Sequence, residues 1–166
     1  VNAPWFDSAG PFKSENGWGK GSLREGGIRV PMIVHWHDQI TAGSVSDHIC
    51  AFWDVLPTLG EISGYSYKKT DGISFFPTLK GNRQGVHEYL YWELPEGKGS
   101  KAIRMGKWKG YLSNIKNGNR CVELYDLETD PQEQYNLSSI YPNVVKEIEK
   151  KMKKAHTESP VTNYKL

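Results

Sequence analysis

The spacing of apolar positions changes from stretch to stretch along this chain, and the changes predict its elements. Up to about residue 27 there is no periodicity; Gly, Pro, Ser and Asn crowd the segment and mark it as loop. Residues 29–36, "RVPMIVHW", form a short apolar, β-branched run that reads as a buried strand. Asp38 to Gly43 reads as a turn, and Ser46 or Asp47 stands where a helix N-cap would. Ile49, Phe52, Trp53 and Leu56 then share a helical face, which predicts a covering helix over 47–60. Pro57 is expected to break or restart it, and Gly64 to stop a further turn from Thr58 to Ile62. Asp71-Gly72 marks another turn before a short apolar run that ends at Gly81-Asn82.

Beyond that point the texture shifts to aromatic and β-branched runs. "HEYLYWEL", "KAIRMGKWKGYLS" and "CVELYDLE" are separated by Pro/Gly-rich or Asn/Gly-rich turns, the pattern of an antiparallel meander. "KNGN" at Lys116–Asn119 is the strongest hairpin signal, and Asp130-Pro131 ends the meander. The last pattern is helical: Val144, Ile148, Met152 and Ala155 form a stripe, with Ser138 or Ser139 as the expected N-cap. A composition shift near Asn82–Gly85 divides the chain into 1–82 and 83–166. The predicted fold class is α/β.

Composition narrows the function classes. Six Trp, nine Tyr and five Phe in 166 residues can build a core without staples, although only 37% of positions are apolar. A net charge of +2 argues against a nucleic-acid partner held by phosphate neutralisation. The densest basic run, Lys146 to Lys154, alternates with Glu147 and Glu149, as on a solvated helix face. No apolar run approaches the ~18 residues of a membrane helix, and no targeting pattern opens the sequence. Cys50 and Cys121 lie far apart; pairing and free thiols both stay open. The opening "VNAPWFDSAGPFKSENGWG" looks like an internal loop, so a fragment of a longer protein is expected.

The candidate chemistry is sparse. In "GKGSLREGGIRVP" a lone Lys20 sits among glycines, which favour tight turns or close approach of backbone to a ligand. It is not a phosphate-binding P-loop, because Gly21 stands where Ser or Thr must follow the lysine. His35 and His37 would face one side of a strand but lack a partner at ligand spacing, and no Gly-x-Ser-x-Gly elbow occurs.

Five segments in order change this picture: "GKGSLREGGIRVPMIVHW", "SDHICAFWDVLPTLGEISG", "DGISFFPTLKG", "AIRMGKWKGYL" and "LYDLETDPQEQYNL". Over about residues 17–150 the chain resembles the C-terminal part of a formylglycine-dependent sulfatase of the alkaline-phosphatase superfamily. The resemblance implies that 1–82 completes a large α/β catalytic sheet and that 83–166 is a small antiparallel sheet with the 139–155 helix packed on it. It implies hydrolysis of a sulfate ester on a sulfated small molecule or glycan; a phosphonate or phosphate monoester hydrolase and a non-catalytic carbohydrate-binding module are the alternatives. Lys20 matches the lysine that reaches a sulfate oxygen in that family. Glu25, Gly26 and Gly27 then read as the turn aiming that loop, with Glu25 paired to a cation, and Arg29 as a structural partner. Trp92 and Glu93 fall near the family's cleft mouth and are candidate sugar contacts. The family's cofactors are calcium and a formylglycine made in a Cys/Ser-x-Pro-x-Arg motif; this sequence lacks that motif, so neither is expected on this chain. The chain alone is expected to be inactive and prone to self-association, and its parent to be periplasmic, secreted or lysosomal.

Overall fold

A computed structural model describes residues 9–13 and 17–166, which separate into two compact units. One joins the described residues up to Val30 with Tyr89–Leu166; the other is Pro31–Glu88. Residues 17–30 thus cluster with the C-terminal sheet, whereas the division at 82 and 83 groups them with the middle of the chain.

The first unit is built on four strands: β1 (Leu90–Leu94), β2 (Ser100–Met105), β3 (Trp108–Ser113) and β4 (Glu123–Asp126). They form an antiparallel meander in sequence order. Alternation divides the side chains cleanly. Ala102 pairs with Trp92 and Tyr111, and this face packs with Leu23, Tyr125 and Leu127. Ile103 pairs with Tyr91 and Gly110, and that face packs with Leu124, Ile148 and Met152.

The run "KAIRMGKWKGYLS" contains two strands, not one. It folds back at Gly106-Lys107, where Gly106 takes φ +54 in the left-handed region that suits glycine. "KNGN" does not close a tight hairpin; it lies in the longer 114–122 connection, where residues Ile115–Asn117 form a 3₁₀ turn ended by Gly118 at φ +85. The terminal helix Pro142–Ala155 has Pro142 in its first turn, where the missing N–H costs nothing, rather than a serine cap. Its expected stripe is correctly placed: Ile148 is fully buried and Met152 nearly so.

Residues 29–36, which run from the first unit into the second, do not form the predicted strand. The segment belongs to no strand or helix among the described residues, with Ile33 95% exposed. Apolar content alone cannot make a strand; the backbone needs a neighbouring ladder. The predicted helix also starts later. Phe52–Asp54 form a 3₁₀ turn that runs into Val55–Ser63, and the start is fixed by the Asp54 carboxylate, which accepts the Ala51 N–H at 2.7 Å. Pro57 sits in the first turn, where it does not break the helix, and Gly64 at φ +74 ends it as expected. The helix turns Thr58 and Gly60 inward and leaves Leu56 and Leu59 exposed. A further single turn, Phe76–Leu79, stops at Gly81 with φ +69.

Candidate functional site: the Lys20 loop

The loop before the second unit is arranged on a one-turn helix, α1 (Glu25–Ile28). Ser22 N–H donates to Gly19 O at 3.1 Å, the Ser22 hydroxyl donates to Trp18 O at 2.9 Å and accepts the Arg24 N–H at 3.2 Å. Gly21 at φ +88 completes the turn. Gly27 is required by close approach: a Cβ there would lie 2.6 Å from Gly19 O and closer still to Ser22 O. The turn carrying Lys20 therefore rests directly on α1. Lys20 itself is exposed and makes no hydrogen bond or ion pair among the described residues.

Beneath the loop lies a group of buried charges. Leu23 enters the sheet's apolar cluster, while the Arg24 guanidinium stacks 3.8 Å from the Tyr111 ring centroid and 4.2 Å from that of Trp18. Arg24 also pairs with Glu123. Burial opposes its charge, but hydrogen bonds to Tyr125 and Glu123 outweigh this and raise its pKa. Glu25, 2% exposed, accepts from Lys109 Nζ at 2.8 Å and Arg29 Nη1 at 3.2 Å, with Arg104 4.0 Å away. Lys109 has no exposed surface and also lies 3.2 Å from Glu133 Oε1. Glu133 Oε2 accepts the backbone N–H of Glu25 at 2.7 Å. Burial pushes the Glu133 carboxyl above its usual range, against the pull of Lys109 and Arg24. The same desolvation lowers Arg104. Glu25 thus has the cationic partner expected of it, and Arg29, one of its partners, keeps 46% of its side chain exposed.

Strand alternation separates the two remaining candidates. Trp92 packs against the face that receives Leu23, the face shared by the Lys20 loop. Glu93 points to the other face, where it accepts from Tyr91 Oη and lies 2.6 Å from His156 Nδ1. His156 Nε2 in turn sits 3.0 Å from Glu158. Sequence reasoning missed Lys109 and Glu133 altogether. Lys109 was visible in principle: it alternates in phase with Tyr111, so it had to point at a buried face. Glu133, in an irregular segment, carried no such signal.

In the second unit Asp54 is fully buried and takes N–H bonds from Ala51 and from Ile73, the latter at 2.8 Å, with His87 Nε2 also at 2.8 Å. These bonds join the helix start to the 71–76 segment, a structural task. Burial lowers the His48 pKa and raises that of Cys50, and both cysteines are free thiols. Among the described residues no group of three or more His, Cys, Asp or Glu could hold a metal ion. The described residues therefore do not fit a calcium site.

Comparison with known proteins identifies the family. The profile of the family described as "N-sulphoglucosamine sulphohydrolase, C-terminal" matches residues 14–158, and the chain belongs to that family. An ulvan-active sulfatase of Formosa agariphila is 31% identical over 155 residues, covering 73% of this chain and 31% of that protein. Human arylsulfatase A is 28% identical over 172 residues, covering 87% of the chain and 34% of the enzyme. Among solved structures, Ps i-CgsB in complex with k-i-k-neocarrahexaose superposes with a TM-score of 0.71 at 29% identity, covering 82% of this chain and 30% of that one. The chain spans about a third of the length of the relatives it matches. No helix among the described residues is long and apolar enough to cross a membrane.

Proposed function

We propose that this chain is the C-terminal portion of a sulfatase acting on a sulfated carbohydrate, and that Lys20 binds the sulfate group. The observation that carries the reading is the Lys20 turn: one ammonium, unpaired among the described residues, on a loop pinned to a buried framework inside the matched segment. Cleavage of a sulfate ester builds negative charge on the non-bridging and leaving oxygens. An ammonium already held in place donates to that charge without reorganising, which is worth most where water is excluded. Nucleophile and metal ligands would come from the rest of a full-length enzyme. The glycan substrate is supported by the relatives named for ulvan and bound to a neocarrahexaose. Trp92, on the face shared by the Lys20 loop, is proposed to meet the sugar through the part that packing leaves open; Glu93, turned to the opposite face and engaged by Tyr91 and His156, is proposed for a structural role there. A periplasmic, secreted or lysosomal setting for the parent follows from the same kinship.

In the full-length enzyme, Lys20→Ala should lower kcat by on the order of 10²–10³-fold, as other single-donor losses do. Its Tm should hardly change, because the side chain is exposed. Normal kcat/KM on a sulfate ester would refute the role of Lys20.

A further inference from the structure

Sulfate binding by Lys20 does not explain why four charged side chains lie buried under its loop. Glu133 is the least ordinary of them. It is 2% exposed, yet its backbone takes φ +54, a conformation that glutamate rarely adopts. The turn is held open by Asp130, whose carboxylate accepts the N–H groups of Gln134 and Tyr135, each at 2.8 Å. This backbone aims the Glu133 carboxylate at three groups distant in sequence: the Glu25 N–H, Lys109 Nζ and, at 3.7 Å, Arg24 Nη1. Glu133 Oε1 and Arg24 Nη1 are both buried without a hydrogen-bond partner. An apolar side chain would glue the loop to the sheet as well or better, since buried ion pairs seldom add net stability. What the ions add is direction. A carboxylate that takes the first amide of α1 and a lysine fixed on β3 set where α1 sits, and α1 supports the Lys20 turn through Gly27.

We propose that Glu133 and Lys109 are positioning residues for Lys20, setting through Glu25 and Gly27 the place from which its ammonium reaches the sulfate group. This rests on the reading of Lys20 as a sulfate ligand. Neither residue touches substrate. A displacement of about 1 Å in a group that contacts the transition state can cost up to roughly 100-fold in rate, so the effect should appear in kcat rather than in KM.

The test is a double-mutant cycle in the full-length enzyme, assayed on an aryl sulfate. Glu133→Gln keeps an acceptor for the Glu25 N–H and removes the charge that faces Lys109 and Arg24. Alone it should lower kcat about 10- to 100-fold; combined with Lys20→Ala it should cost almost nothing more, because the group it positions is gone. A merely structural role would give the same factor in both backgrounds, and that result overturns the proposal. Lys20→Ala with normal activity would sink the sulfate-ligand reading and the positioning role with it. An impaired Lys20→Ala beside a silent Glu133→Gln would remove the positioning role alone. If Glu133→Gln does not fold, Gly27→Ala serves in the same cycle. Its methyl displaces Gly19 and Ser22 without touching the ionic group, and additivity there is equally fatal.

Discussion

Single residues decide how this chain answers to pH and charge. Lys107 Nζ donates to Asp126 Oδ2 at 2.6 Å, and the Glu128 N–H donates to Oδ1 at 3.1 Å, across the Gly106-Lys107 turn. The Lys107 bond above all holds the Asp126 carboxyl below its usual range. A depressed folded-state pKa means that the ionised form favours the fold. Its contribution is present above the unfolded value near 4 and is lost as pH falls through the folded one. The stability gap between the native chain and Asp126→Asn, measured by urea denaturation, should therefore shrink as pH drops from about 5 toward 2. A gap that stays constant would show that the ionised carboxylate contributes nothing. At this scale legibility followed local context. Lys20 stood out because glycines surround it, and Glu25 because it opens a Gly-Gly turn. Lys109 offered only its strand phase with Tyr111, and Glu133, in an irregular segment, offered nothing, since the partners that make each charge recognisable lie in distant segments.

Elements were legible where a single face decides them. The 142–155 helix declares its stripe by period, and the structure buries Ile148 against the bare backbone of Gly110. A Cβ at Gly110 would lie 2.5 Å from Ile148 Cγ2, so the two positions are coupled. Gly110→Ala should cost about 1–3 kcal/mol by overpacking, and Ile148→Ala about 2–5 kcal/mol by leaving a void. The double variant should cost less than the sum, because the new methyl occupies part of the vacated space. Chemical denaturation of the three variants measures this, and strict additivity would mean that the helix does not bear on Gly110. Elements whose form depends on pairing were less legible. The β2–β3 turn hid inside an unbroken aromatic run, since Gly106 is the only local mark of the reversal. The 29–36 segment has a strand's composition, yet no described neighbour offers it a ladder.

At the scale of the whole molecule the order of five segments identified the kinship, which no single residue could. Fold class was legible for the same reason: the meander and terminal helix are local patterns, and kinship supplied the rest. The chain by itself should show no turnover of an aryl sulfate, even with calcium added, because one ammonium cannot replace nucleophile, metal and positioning together. Exposed Met32, Ile33 and Val34, with Leu56 and Leu59 on the helix of the second unit, should make the isolated chain associate. Light scattering and a chromogenic assay test both statements. Turnover that survives repurification would contradict the first, and a monomer that binds no apolar dye the second.

The buried ionic group also sets a timetable for the growing polypeptide. Glu25 meets Lys109 and Glu133 across separations of 84 and 108 residues. At about 5–20 residues per second, roughly 5–20 s of translation separate the first member of the cluster from the last. For most of that interval Leu23, Arg24 and Glu25 have no complete sheet to enter, because its last strand ends at Asp126, and loop closure over such a span is slow in any case. The Lys20 segment therefore cannot lock before Glu133 has been made, and a chaperone or protease that meets the nascent chain before then finds that segment open.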